Sequence, residues 1–289
     1  MFPAGRSDVA TRAVGLAGGI TLRVAESGSR ESPVILLLHG WGASIYMWRD
    51  WFAPLAAAGY RAIAIDLPGH GLSEKPDGVE WYTLSGMVGA VRQFLDVDEI
   101  VHADVVAQSM AGTIVLSLAL SDARLGRMAL VNPACFGRIR FQPFFRLARP
   151  PLLDRVLPRL VARWIVARAH RLVYGDASRL TARDDDEYWA PSQFPAYARA
   201  MRRLLNAFDW RRANPDVMAA NLRALASRLL VILGTCDRLV LDARPYARAL
   251  KGRLPAMRLH EIEGGGHAVN EERPEDVVPL VLSFLEVPS

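Results

Sequence analysis

Three polar side chains stand at points where the sequence has most reason to bend. Ser109 follows the run Val105-Val106-Ala107-Gln108 and opens the helix-like stretch Met110-Ala111-Gly112. A sharp strand-to-helix turn there lifts the hydroxyl clear of a sheet edge, placed to attack an electrophile. Taken alone, a serine at such a junction serves equally well as a helix cap. His267 follows Glu263-Gly264-Gly265-Gly266, directly after the strand-like run Arg258–Ile262. Three glycines make a mobile loop that can approach other backbone closely, and they lose much conformational freedom on folding. Their place beside an imidazole implies that the ring is being brought to a partner. His102, His170 and His260 have no such setting. Asp237 lies in Gly234-Thr235-Cys236-Asp237-Arg238, just past Leu229–Leu233. A carboxylate at the end of a strand can orient an imidazole and stabilise its protonated form, although an isolated Asp in a turn is commonly structural. Asn132 occupies the comparable spot one strand earlier and cannot serve as the anion.

A fourth stretch supplies what nucleophilic attack on a carbonyl needs next. His39-Gly40-Trp41-Gly42 follows the apolar run Val34–Leu38. A loop here can aim the Trp41 main-chain N–H at a developing oxyanion, with the Met110 N–H as second donor; a plain turn is the other use of such glycines. In chain order the candidates run Ser109, Asp237, His267. His39 and Ser109 are 70 residues apart, Ser109 and Asp237 128, and Asp237 and His267 30. Chemistry built on these groups needs no metal or organic cofactor.

The elements that must position these residues alternate. Expected strands are Leu22–Ala25, Val34–His39, Arg61–Asp66, Val101–Ala107, Met128–Asn132, Leu229–Gly234 and Arg258–Ile262. Several are apolar throughout, as parallel strands buried on both faces are. Helical spacing fills Trp48–Ala58, Leu84–Leu95, Met110–Ser121, Asp242–Leu250 and Asp276–Leu285. Strand–helix–strand repetition predicts an α/β fold, a mostly parallel sheet with helices on both faces. The rhythm stops between Ala134 and Asn221, where no strand is expected and Arg, Leu, Pro and Trp abound. The pattern over Leu152–Leu172 is an amphipathic helix, kinked at Pro158, with Arg155, Arg159 and Arg163 on its other face. A helical insert over residues 134–221 divides a core made of residues 1–133 and 222–289. Such an insert is best placed as a cap above the carboxyl ends of the strands, where open α/β sheets bind ligands; an insert that only adds stability is the alternative.

Composition sets the outer bounds. The 289 residues are 51% hydrophobic and 22% charged, which excludes extensive disorder. Two cysteines, Cys135 and Cys236, suggest neither a disulfide framework nor a metal cluster. The longest uncharged stretch, between Asp104 and Asp122, is interrupted by Gln108, Ser109, Thr113 and Ser117 and is no membrane span. Without a basic-then-apolar leader pattern, a cytoplasmic location is expected. Net charge is +5, almost all of the basic side chains being Arg. From Arg138 to Arg212, 16 Arg face 7 acidic residues, a local +9 that leaves −4 for the rest. Solvated helix faces account for such a step, and so does attraction of anionic substrates or of a membrane surface. No nucleic-acid motif accompanies the charge, so no nucleic-acid partner is expected. The expected partner is a small ester, with the oligomeric state left open.

The order Ser109, Asp237, His267 is that of the α/β-hydrolases, and the chain resembles a capped member of that superfamily, of the esterase and meta-cleavage-hydrolase type. The resemblance is carried by His39-Gly40-Trp41-Gly42, Asp66-Leu67-Pro68-Gly69-His70-Gly71-Leu72-Ser73, Gln108-Ser109-Met110-Ala111-Gly112, Gly234 through Asp237, and Gly265-Gly266-His267. It implies catalytic Ser109, His267 and Asp237, an oxyanion hole from Trp41 and Met110, and a structural turn over Asp66–Ser73. The usual Gly-x-Ser-x-Gly is replaced by Ala107 and Ala111 around the serine. Carboxylic ester hydrolysis is the expected activity, with an apolar acyl or aromatic group met by Phe136, Phe141, Phe144, Phe145, Trp164, Trp189 and Phe194. Carbon–carbon bond hydrolysis, thioester cleavage and acyl transfer use the same side chains. Against the first stand Gln108 where the resemblance suggests Asn, and Ala268 where it suggests an aromatic. Haloalkane dehalogenases and epoxide hydrolases share the layout but use an aspartate where Ser109 stands. A binding protein that keeps the fold without turnover is the non-enzymatic alternative.

Overall fold

The computed structural model describes residues 1–140 and 162–286. In chain order the elements are β1 (Ala10–Gly15), β2 (Thr21–Ser27), β3 (Val34–Leu38), α1 (Phe52–Ala57), β4 (Arg61–Ile65), α2 (Leu84–Val97), β5 (Ala103–Gln108), α3 (Met110–Ala119) and β6 (Leu125–Val131). Then come the two-residue β7 (Arg138–Ile139), α4 (Arg163–Val173), α5 (Ala182–Trp189), α6 (Pro195–Ala207) and α7 (Pro215–Leu222). The sheet resumes with β8 (Leu229–Gly234), β9 (Val240–Leu241), α8 (Ala243–Arg253) and β10 (Arg258–Ile262), followed by α9 (Val269–Glu272) and α10 (Pro274–Leu285). Eight strands form one sheet in the order β1-β2-β4-β3-β5-β6-β8-β10. Strand β2 is antiparallel to both β1 and β4, and from β4 to β10 every pair is parallel. This is the expected mostly parallel α/β sheet.

Burial explains the strands. Every residue of β4 and β8 is buried, and β3 is buried after its first residue. Each face of the sheet carries its own apolar layer. Leu36, Leu38, Ile63 and Val105 meet α2 and α3 on one side, while Ile35, Leu37, Val106 and Ile232 meet α1 and α10 on the other. Alternation along the strands sorts the two sets. Helix α2 buries Met87, Ala90, Val91, Phe94 and Leu95, the spacing of one helical face. It begins where the Thr83 hydroxyl accepts a hydrogen bond from the Gly86 N–H at 3.0 Å.

Differences from the sequence expectation are local. Strand β1 was not expected: it is an edge strand in which only Val14 is buried, so it lacks an apolar signature. The expected helix Trp48–Ala58 is divided into a 3₁₀ turn, Ile45–Trp48, and α1. Pro54 is best tolerated in the first turn of a helix, and here a helix begins afresh just before it. Val101 is 84% exposed and the strand starts at Ala103. In the stretch expected to lack strands, β7 pairs with β9, a two-residue ladder too short to leave a period in the sequence. The amphipathic segment is present as α4 from Arg163; Pro158, Arg155 and Arg159 lie outside the described residues. No described helix is long and apolar enough to cross a membrane.

Phe94 is fully buried between α2 and the sheet. Phe94→Ala is expected to lower stability by about 3–5 kcal/mol, read from the midpoint of urea unfolding.

Candidate active site

The parallel strands end in step. Leu38 pairs with Ala107, Gln108 with Val131, Val131 with Ile232, and Gly234 with Ile262. The residues that follow these ends therefore emerge along one edge of the sheet: His39 after β3, Ser109 after β5, Asn132 after β6, Asp237 after β8 and His267 after β10. Carboxyl ends of parallel strands are the general ligand-binding edge of such sheets.

Ser109 sits at φ 53°, ψ −114°, in a region that side-chain-bearing residues rarely adopt. A conformation of this kind costs on the order of 1–3 kcal/mol and persists only when its surroundings impose it. Here the Ser109 N–H donates to the Val131 carbonyl at 2.9 Å, and the Ser109 carbonyl accepts from Gly112 and Ala134 at 3.0 and 2.9 Å. The hydroxyl makes no capping bond to α3. It meets His267 Nε2 at 2.9 Å instead, and His267 Nδ1 lies 2.8 Å from Asp237 Oδ2. A carboxylate can only accept, so Nδ1 carries the proton and Nε2 faces the serine as acceptor. The other carboxylate oxygen, Asp237 Oδ1, accepts from the Leu239 and Val240 N–H groups at 2.7 and 3.1 Å. Side chains of Asp237 and His267 are 5% and 8% exposed, so water competes little for their bond.

Close packing accounts for the local glycines. A Cβ on Gly40 would stand 2.1 Å from Gln108 Oε1 and 2.9 Å from Ser109 Cβ. A Cβ on Gly112 would stand 2.8 Å from Pro133 Cβ. The tightest approaches to the turn thus fall at 40 and 112, while Ala107 and Ala111 are accommodated fully buried. In the histidine loop, a Cβ on Gly266 would stand 2.3 Å from the Gly175 nitrogen, and one on Gly234 2.3 Å from the Gly266 carbonyl. These glycines serve close approach in a loop fastened at many points, where the sequence suggested mobility. The Gly266 N–H donates to Glu272 Oε2 at 2.8 Å, the Gly265 carbonyl accepts from Cys236 at 2.8 Å, and Ala268 donates to the Val173 carbonyl at 3.1 Å.

Two residues without a role in the sequence reading hold the imidazole's backbone. Asn132, at φ 43°, donates from Nδ2 to the Gly266 and His267 carbonyls at 3.0 and 2.9 Å and accepts from the Gly234 N–H at 3.0 Å. Gln108 Nε2 donates to the His267 carbonyl at 3.0 Å. Asn132 has no charge with which to stand in for Asp237; its amide, able to donate and accept at once, is what the position uses. The adjacency of Gln108 to Ser109 was the available signal for the other.

His39 is buried and reaches no reacting atom. Its Nδ1 bonds the Gly40 carbonyl at 2.7 Å and its Nε2 accepts from the Leu67 N–H at 3.1 Å, fixing the turn that carries Trp41. Burial lowers its pKa, keeping the ring neutral as that pattern requires. Asp66, fully buried, accepts from Ile45 and Leu72 at 2.7 and 2.8 Å, so the Asp66–Ser73 turn braces the same loop. Trp41 lines a cavity of about 570 Å³ together with Gly42, Ser109 and His267. The opposite wall comes from α4 and α6, including Ile165, Leu172, Met201 and Leu205. Of the aromatic residues expected to meet substrate, Trp164 lines this cavity, whereas Phe136 is buried against Tyr246 in the core. Phe194 lies under Lys75, and Phe141, Phe144 and Phe145 lie outside the described residues. Cys135 is buried and Cys236 exposed, both as free thiols.

Residues 35–280 match the alpha/beta hydrolase family. The chain belongs to that family. This alpha/beta hydrolase is similar to the AB hydrolase superfamily protein YfhM of Bacillus subtilis (strain 168), 25% identical over 93% of this chain and 95% of that one. It is also similar to the magnesium-chelatase 30 kDa subunit of Rhodobacter capsulatus, 30% identical over 97% of this chain and 95% of that one. Among solved structures, a Vigna radiata epoxide hydrolase mutant matches with a TM-score of 0.78 at 20% identity, covering 97% of this chain and 99% of that one, a likeness of fold.

His170, on the cavity wall, is 4% exposed, and burial holds its pKa down to about 4. An unfolded imidazole takes up its proton near pH 6.5, whereas the buried one resists until about pH 4. The unfolded chain binds the extra proton across that interval, so stability falls as pH drops through it. His170→Phe is expected to remove part of this loss, about 2 kcal/mol at pH 5, measured as the change in urea midpoint between pH 7 and pH 5.

Proposed function

We propose that this alpha/beta hydrolase cleaves a carboxylic ester through an acyl-enzyme, with Ser109 as nucleophile, His267 as general base and Asp237 as the group that orients the imidazole. The observation that carries it is the unbroken line from Ser109 Oγ through His267 to Asp237, 2.9 and 2.8 Å long at its two bonds. His267 Nε2 takes the hydroxyl proton as Oγ attacks the carbonyl carbon. Asp237 stabilises the imidazolium that results. The Trp41 and Met110 amides hold the oxyanion, a role in which each such donor is worth roughly 3–4 kcal/mol of transition-state stabilisation. His267 then protonates the leaving alcohol, and the same ring activates the water that releases the acid. Helices α4 and α6, from the insert expected over residues 134–221, wall the cavity and act as its cap, and the apolar walls suit an apolar acyl or aromatic group. A serine where dehalogenases and epoxide hydrolases have an aspartate supports acyl chemistry over alkyl transfer.

A second reading is favoured by the relative named as a magnesium-chelatase subunit, similar along nearly the whole chain. On that reading the cavity holds a ligand for a magnesium-inserting assembly and the serine does not turn over. Labelling by a fluorophosphonate separates the two, since only an activated Ser109 reacts.

Ser109→Ala is expected to lower kcat for p-nitrophenyl esters by at least about 10⁴-fold with the fold intact, checked by circular dichroism. Asp237→Asn, which misorients the ring, is expected to cost about 10⁴ in kcat. Retention of most activity in either variant contradicts the assignment.

A further inference from the structure

The cavity above Ser109 has a one-sided electrostatic character that ester hydrolysis does not require. Its described lining includes Arg140, Arg168 and Arg202 and no Asp or Glu. Many arginines elsewhere are paired, among them Arg49 with Asp184 and Glu271, Arg61 with Glu26 and Asp98, and Arg163 with Asp186, whereas Arg140 and Arg168 are exposed. Among the described residues, the side chains of Arg140 and Arg168 have no such carboxylate and no hydrogen-bond acceptor.

The buried imidazole on the same wall offers the cavity no polar atom, since both ring nitrogens are closed off from it. His170 is almost fully buried, and neither ring nitrogen has a hydrogen-bond partner among the described residues. Its ring packs on Tyr188 at 4.0 Å and edge-on to Tyr174 at 5.2 Å, contacts that leave both nitrogens unbonded. The rest of the wall is mainly apolar, with Met47, Ile165, Leu172 and Met201. The lining therefore combines a large apolar surface with two cations that have no partner among the described residues.

We propose that the substrate of this site is an amphipathic anion, an apolar body bearing a carboxylate or similar oxyanion that Arg140 and Arg168 hold while the ester lies at Ser109. The word substrate rests on the hydrolytic reading; the binding of an apolar anion does not. Guanidinium groups suit this task because their planar donors match an oxyanion two at a time and stay charged at any working pH. It also gives two of the arginines between Arg138 and Arg212 a specific use.

Two fluorescent probes with one aromatic body test this: anionic 8-anilinonaphthalene-1-sulfonate and neutral N-phenyl-1-naphthylamine. The ratio of their affinities is measured for the wild-type chain and for Arg140→Gln/Arg168→Gln. The preference for the sulfonate is expected to fall about tenfold in the double variant, to return only in part in Arg140→Lys/Arg168→Lys, which restores the charge without the planar fork, and to shrink in 0.5 M salt. A ratio that changes less than threefold overturns the proposal. Fluorophosphonate labelling is run in parallel. A ratio that falls as expected with an unlabelled serine leaves the anion site standing and defeats the hydrolytic reading; a labelled serine with an unchanged ratio does the reverse.

Discussion

The site depends on a line of two hydrogen bonds that none of its members could keep alone. Ser109 must be held in a backbone conformation it disfavours, His267 must come from a loop with three glycines before it, and Asp237 must leave β8 within reach of the ring. The molecule meets these demands through main-chain bonds. Asn132 and Gln108 hold the His267 carbonyl from beneath, and Asp237 spends one carboxylate oxygen on the backbone of its own turn. The ring is thereby fixed at both ends, by its backbone and by its Nδ1 bond. The proposed catalysis follows from that rigidity, because a base held in place need not be reordered as the serine loses its proton.

The histidine loop and the inserted helices share their supports. Glu272 accepts from Gly266 in the loop and from Gly175 and Asp176 just after α4, at 2.8, 3.0 and 2.6 Å. Beside it Glu271 and Asp184 both engage Arg49, and the Tyr46 hydroxyl donates to Asp184 at 2.6 Å. These groups are buried; desolvation raises the Glu271 pKa, which the Arg49 charge opposes. A buried network of this kind adds little net stability over apolar packing, but removing one partner strands a charge and is costly. It ties α5, through Asp184, to Tyr46 and Arg49 in the segment between β3 and α1.

Much of this was legible in the sequence, and the reasons are specific. Strands β3, β4 and β8 are buried on both faces and read as apolar runs, and α2 shows its buried face at helical spacing. Ser109 and Asp237 each follow such a run and His267 follows the more exposed edge strand β10, so parallel strands ending in step bring them to one edge. What escaped was written in too few residues or in the wrong chemistry. An edge strand with one buried valine and a two-residue ladder leave no period. Asn132 acts through its amide where a charge was sought, and Gln108 through a main-chain carbonyl 159 residues away. Alanines can replace the usual glycines around Ser109 because the close approaches fall at Gly40 and Gly112, which only three-dimensional packing reveals.

The hydrogen-bonded line itself can be observed without knowing a substrate. A proton on His267 Nδ1 shared with Asp237 gives a resonance far downfield of the amide region in a proton NMR spectrum. The account predicts that this signal is present in the wild-type chain, survives Ser109→Ala and disappears in Asp237→Asn. A spectrum lacking it in the wild-type chain, or one in which Asp237→Asn leaves it in place, contradicts the account.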